Sequence, residues 1–316
     1  MTKKYTDRYI FALLSLVVTL WGVNVVMIKY LTTFYPPLAL APIRLFLATC
    51  LLLPAVLRKY GYVRPPRAAW LPIAGVAACS IFFHQITLTW GVTETSATHA
   101  VLILGLSPLL TALLASYLVR ERLTGPKLVG VILGFGGVVL VVHGKAAGAA
   151  SLVGDAVMVV SMLMFVIGSL FVKKSTELVS PLLVTAYSHV LGSAGLLVLG
   201  FFVNPVWCYD GAGGLWPMLV LLFSSFVNTA LGALWWNTGI QQIGASTTAI
   251  FQNGVSVVGV FASAMFLHEE IGLVHIAALV LVFLGVSLGT GVLNVDRPFG
   301  AMFDRQQPKE DEAGKS

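Results

Sequence analysis

The sequence predicts an all-α polytopic membrane protein, with ten transmembrane helices arranged as two inverted five-helix repeats. Three observations lead there. The 316 residues are 58% hydrophobic and only 10% charged, with a mean hydropathy of +0.91, whereas an ordinary soluble domain is about 25% charged. So few charges cannot coat a globule in water, which excludes a soluble enzyme, a nucleic-acid module and a disordered chain. Second, the apolar residues fall into runs of about 18–25, each long enough to cross a hydrocarbon core of about 30 Å as a helix. A transmembrane barrel would show alternating strands of about ten residues instead. Third, the chain repeats itself after an odd number of runs.

In chain order the runs place helix 1 at 9–31, helix 2 at 38–58, helix 3 at 69–91, helix 4 at 95–119 and helix 5 at 126–143. Helix 6 follows at 153–173, helix 7 at 181–203, helix 8 at 215–238, helix 9 at 245–268 and helix 10 at 272–293. Helix 1 begins after Lys3, Lys4 and Arg8 but is about 23 residues long and has no small-residue cleavage site, so it reads as an uncleaved span. The polar, mixed-charge segment 294–316 reads as a disordered cytoplasmic tail.

Charge orients the spans. One set of ends and loops carries Lys3, Lys4, Arg8, Arg58, Lys59, Arg64, Arg67, Arg120, Arg122, Lys127, Lys173, Lys174, Arg297, Arg305, Lys309 and Lys315. The other carries Lys29 and Lys145, and Arg44 lies inside helix 2. The positive-inside rule then puts both termini in the cytoplasm of a plasma membrane and explains the net charge of +6 without a nucleic-acid partner. Cys50, Cys79 and Cys208 share no motif spacing, which predicts neither a disulfide framework nor a metal site.

The repeat is legible residue by residue. Trp21 to Lys29 aligns with Phe165 to Lys173 at an offset of 144, and Pro37-Leu38 with Pro181-Leu182. Further on the offset is 148: Gly91 matches Gly239, Ala97 matches Ala245, Glu121 matches Glu269 and Gly137-Val138 matches Gly285-Val286. The units run over 9–143 and 153–293. Five helices each is an odd number, so the second unit runs antiparallel to the first. The loop between helices 2 and 3 holds four Arg or Lys, whereas its counterpart, Asn204 to Gly214, holds none and one Asp210. That inversion of charge agrees, and inverted repeats place a site near the midplane between them.

Trp21-Gly22-x-Asn24 ending in Lys29, Leu40-Ala41-Pro42-Ile43-Arg44, Ser107-Pro108 followed by Arg120-Glu121-Arg122-Leu123, and the Gly-rich helix 5 ending near Gly136-Gly137-Val138 come in order. Together they resemble the EamA branch of the drug/metabolite transporter superfamily over residues 9–293. The resemblance implies a cavity lined by helices 1, 3, 4, 6, 8 and 9, and points to export of amino acids or related metabolites. The second half departs from the pattern: Phe165 replaces the Trp, Gly168 the Asn, and Ser256 stands where helix 4 has Pro108. No proline therefore predicts a break in helix 9.

Polar side chains are costly in hydrocarbon and mark candidate pathways. Ser80, His84 and Thr87 share one face of helix 3; Ser224, Asn228 and Trp235, with Gly232 between, share one of helix 8; Thr248, Gln252 and Ser256 stand four apart on helix 9. The candidate substrate site is Asn24, His84, Thr87, His99, Asn228, Trp235, Gln252 and Ser256, with Trp21 and Trp236 as further flat apolar surface. Interhelical hydrogen bonding is the structural alternative, worth about 0.6–2 kcal/mol per pair. No Asp or Glu lies mid-span, which disfavours the lipophilic-cation antiport of the small multidrug-resistance relatives. His84 and His99 are the candidate groups for proton coupling, their free pKa being about 6.5; His189 is weaker because helix 7 is expected outside the cavity. Arg44 and Lys29 could meet a substrate carboxylate, a job that suits the bidentate fork of Arg, but both lie within about 10 Å of the outer surface, where snorkelling satisfies their charge and is the favoured reading.

Enzyme signals fail in context. Gly285-Val286-Ser287-Leu288-Gly289 fits a nucleophile elbow but lies inside an apolar helix with no strand before it. His268-Glu269-Glu270 begins like a zincin motif, yet Gly272 stands where the second histidine is needed. No Walker A loop is present, and no cofactor is implied. Gly130-x-x-x-Gly134 and Gly285-x-x-x-Gly289 read as close-packing motifs. The expectation is a secondary transporter moving a small metabolite through the bilayer by alternating access, with an importer or facilitator of the same substrate class as alternative and an intramembrane enzyme as a remote one.

Overall fold

The computed structural model describes residues 7–119, 125–143, 151–203 and 206–289. Glu121, Lys145 and the segment 294–316 lie outside the described residues.

All regular structure among the described residues is helical: Asp7–Leu31 (helix 1), Pro37–Tyr60 (helix 2), Arg67–Glu94 (helix 3), Ala97–Leu104 and Ser107–Val119 (helix 4), Gly125–His143 (helix 5), Leu152–Thr176 (helix 6), Pro181–Val203 (helix 7), Leu215–Ile243 (helix 8), Ala245–Ile250 and Asn253–Leu267 (helix 9) and Leu273–Gly289 (helix 10). Eight are long and apolar enough to cross a membrane; helices 5 and 10 contribute shorter apolar stretches, Leu128–Leu140 and Leu273–Leu288.

Local chemistry sets the ends. Pro37 opens helix 2, where a missing N–H costs nothing, and Gly61, at φ 67°, closes it. Ser96 and Ser151 accept N-cap hydrogen bonds from His99 and Gly154 at 3.0 Å each. The face where helix 1 begins, which also carries Arg58, Lys59, Lys173 and Lys174, is the basic face below; the other is the far face.

Helix 1 packs on helix 9, helix 6 on helix 4, helix 3 on helix 6, helix 8 on helix 1, helix 2 on helix 7 and helix 5 on helix 10. Replacing every helix by its repeat mate leaves that set unchanged, as an approximate two-fold relation requires. Helix 4 runs through the middle: Val101, Leu102 and Ile103 are wholly buried in the largest apolar cluster. Helices 5 and 10 meet through their glycines. A Cβ at Gly285 would lie 2.7 Å from the Gly130 carbonyl oxygen, so only glycine permits this approach.

Two features go beyond the sequence reading. Helix 9 is broken at Phe251-Gln252 as helix 4 is at Gly105-Leu106. The second break, which no proline predicts, is seated on the first, for the Ser256 hydroxyl donates to the Val101 carbonyl (2.7 Å). Helices 3 and 8 also each contain a π-helical stretch, Ala77–Phe83 and Ser224–Leu231. At the repeat offset of 148 these coincide.

Candidate functional site

Between the halves lies a cavity of about 850 Å³, counting the space that opens to the outside. Its walls come from both repeats. Trp21 and Phe165, which are repeat mates, meet edge to face at 5.9 Å, and Trp236 stands 5.0 Å from Trp21 and 6.0 Å from Phe165. Trp21 donates its indole N–H to the Asn228 carbonyl (2.9 Å). Gly232 makes that possible, since a Cβ there would lie 2.7 Å from the indole nitrogen.

A polar chain lines the far half of the cavity. Arg44 Nε donates to Ser224 Oγ and Nη2 to Thr229 Oγ1, each at 3.0 Å. Ser224 Oγ donates on to Asn24 Oδ1 (2.6 Å), which also accepts from Asn228 Nδ2 (3.0 Å). The hydroxyl of Thr229 donates to the carbonyl of Ser224 (2.8 Å), five residues back, inside the π turn. On the other side His84, which also lines the cavity, has its Nδ1 engaged by Ser161 (2.9 Å). Asn237 Nδ2 donates to Thr185 Oγ1 (2.9 Å), and His189 Nδ1 lies 2.7 Å from the Thr185 carbonyl.

Buried polar groups are nearly always partnered, so the exceptions are informative. Among the described residues eight such atoms have none: six of them, Arg44 Nη1, Gln85 Oε1, His189 Nε2, Asn228 Oδ1, Trp236 Nε1 and Gln252 Oε1, belong to residues that line the cavity, and the other two are His99 Nε2 and Asn253 Oδ1. Donors and acceptors are both left for a small polar molecule, beside an aromatic wall. Among the described residues no group of three His, Cys, Asp or Glu could hold a metal ion.

Of the eight candidate residues, the structure brings Asn24, His84, Asn228 and Gln252 to the cavity. Thr87 does not line it; its hydroxyl donates to Phe83 and His84 carbonyls, and Leu88 takes its place. Trp235 is likewise replaced by Trp236. The π turns explain both shifts. A π-helix bonds i to i+5, so it rotates less per residue, and the next residue on the cavity face comes one position later. Thr87 and Trp235 are repeat mates, as are Leu88 and Trp236. Ser256 is spent on the joint between the broken helices. His99 sits beyond the cavity, with Nδ1 3.2 Å from Asp155.

Two residues contradict the sequence reading. Arg44 does not snorkel: it is 1% exposed and faces the cavity. The partners that hold it, Ser224 and Thr229, come from the other half, which no count along helix 2 can see. Helix 7 is not outside the site, since Ser188 and His189 line it; Ser188 is the repeat mate of Arg44.

The far face above the cavity is bolted. Lys29 Nζ donates to the carbonyls of Val92 (2.7 Å), Thr93 (3.4 Å) and Thr95 (2.7 Å), capping the end of helix 3. His268, left-handed at φ 54°, turns the chain after helix 9. Glu269 then accepts from the N–H groups of Ala97 (2.8 Å) and Thr98 (2.9 Å) and from the Thr98 hydroxyl (2.6 Å), at the positive end of helix 4. Thr95 donates to Asp155 (2.6 Å), which joins helix 6 to the same knot.

Paired inverted helical halves around a shared cavity are an architecture of membrane transporters. The model of the EamA-like transporter family matches residues 8–143 and 152–290, and the chain belongs to that family. It is 32% identical to the uncharacterized transporter YyaM of Bacillus subtilis, over 85% of this chain and 89% of that one. An uncharacterized transporter of Archaeoglobus fulgidus is 30% identical over 86% and 95%. A probable amino-acid metabolite efflux pump of Escherichia coli is 26% identical over 86% and 91%. A crystal structure at 16% identity shares the fold, with a TM-score of 0.67 over 91% of this chain and 99% of that one. These relationships make the chain a multi-pass membrane transporter and point away from an enzyme.

Proposed function

We propose that this protein is a secondary transporter that exports a small metabolite, such as an amino acid, across the plasma membrane by alternating access, with both termini in the cytoplasm. The halves 9–143 and 153–293 are the bodies that rock against each other. The observation that carries the reading is the cavity: both repeats wall it, six buried polar atoms of its lining residues are left unpartnered among the described residues, and a knot of charged groups lies toward one face. The efflux-pump relatives support the substrate class and the direction. Asn24, His84, Asn228 and Gln252 form the polar part of the binding site, and unpartnered amide oxygens such as those of Gln85 and Asn228 suit an ammonium group. Trp21, Phe165 and Trp236 take the side chain. If transport is proton-coupled, His84 or His99 carries the proton.

The test is mass spectrometry of the medium from cells overexpressing the protein, compared with empty vector and with an Asn228→Ala/Gln252→Ala double variant at matched expression. A compound enriched only with the unaltered protein names the substrate class and supports the site. Enrichment that survives the double variant removes the site and keeps the exporter. Faster uptake of labelled metabolites, with no change in the medium, makes the protein an importer.

A further inference from the structure

Among the described residues Arg44 is the single side chain of fixed charge lining the cavity, and no carboxylate pairs with it. Burying a charge without a counter-charge is costly, and proteins ordinarily pair it. Its immediate partners are two neutral hydroxyls, and both are on helix 8. The guanidinium has five N–H donors. Nε–H goes to Ser224 and one N–H of Nη2 goes to Thr229, which leaves the Nη1/Nη2 edge, with Nη1 unpartnered. Two parallel donors on one edge match the two oxygens of a carboxylate. The hydroxyls fix the fork in that orientation, so the geometry is set before a ligand arrives. Ser188 holds the repeat-mate position and adds no second cation.

We infer that Arg44 is the carboxylate anchor of the cavity and that the ligand is a monoanionic or zwitterionic carboxylic acid. This rests on the transport reading for the site's purpose but is tested without transport. One fixed positive charge balances one carboxylate. A dianionic phosphate would leave a negative charge unmatched, and an amine without an acid group would add a second positive one.

The experiment uses the purified full chain in lipid nanodiscs. Its unfolding midpoint and tryptophan fluorescence are followed while L-phenylalanine, L-leucine, 3-phenylpropionate, the amides of the two amino acids, and inorganic phosphate are each titrated. At least one acid raises the midpoint, while its amide and phosphate do not. Arg44→Gln weakens that response at least about tenfold without lowering the midpoint of the empty protein, and Arg44→Lys keeps the preference for acid over amide. An amide that acts as well as its acid overturns the inference, as does an acid response undiminished in Arg44→Gln, a preference for phosphate, or a panel in which no acid acts. Should Arg44→Gln fail to fold, Ser224→Ala/Thr229→Val keeps the charge but removes the hydroxyls that aim it; the acid response must then weaken, and an unchanged one overturns the inference. Acid binding without export in the medium assay retires the exporter and keeps the anchor. Export that survives in Arg44→Gln does the reverse.

Discussion

Lys29 and Lys173 stand at the same position of their repeats, one at the far end of helix 1 and the other at the basic end of helix 6. Lys29 is drawn inward onto the carbonyls that end helix 3. Lys173 lies at the surface, 3.6 Å from Glu177, the residue that caps the end of its own helix. On that face the corresponding tie is neutral, an amide of Gln241 donating to the Thr176 carbonyl (2.9 Å). One sequence pattern thus supports two arrangements, clamped and unclamped. The alternating access proposed above would need that pair of states, since closing one face while the other opens exchanges the roles of the halves.

The strongest challenge to this comparison is Glu269→Ala. It strips three hydrogen bonds from the start of helix 4 and should cost about 2–3 kcal/mol, charge-assisted bonds being the strong ones. In a background without the native cysteines, a Val25→Cys reporter in the cavity should label faster from the far face; unaltered labelling would mean that the knot does not seal it. Lys29→Met comes next, at about 1–2 kcal/mol from the uncapped carbonyls, read by thermal unfolding and the same labelling. Trp236→Leu should then weaken ligand binding by about 1 kcal/mol, the worth of an aromatic contact, while Trp235→Leu leaves it alone; equal effects would refute the register shift. Lys173→Met should change stability by about 0–0.5 kcal/mol, since an exposed i,i+4 pair contributes little. A loss as large as that of Lys29→Met would show that Lys173 is also a clamp, and the asymmetry would go.

The sequence carried most of the fold because a bilayer leaves few options. Spans must be helical, loop lysines and arginines report their side, and five helices per repeat forces inversion. The site was legible where a residue's neighbours along the helix decide its face, as for Asn24 and Gln252. It failed past the π turns, where Thr87 and Trp235 keep ideal α-helical spacing and yet face elsewhere. It failed again at Arg44, because the hydroxyls that hold it are 180 and 185 residues away in the chain. Glu269 stood out in the sequence as the repeat mate of Glu121, and its contacts at the start of helix 4 cross between the halves. The matching contacts of Glu121 lie outside the described residues.

The two widened turns also set the phase of the residues that follow them. Relative to an unbroken α-helix, each amounts to an additional residue let into the turn, and both copies carry it at the same place despite little remaining likeness between Ala77–Phe83 and Ser224–Leu231. What the two halves share at this place is a phase of the backbone rather than a set of side chains.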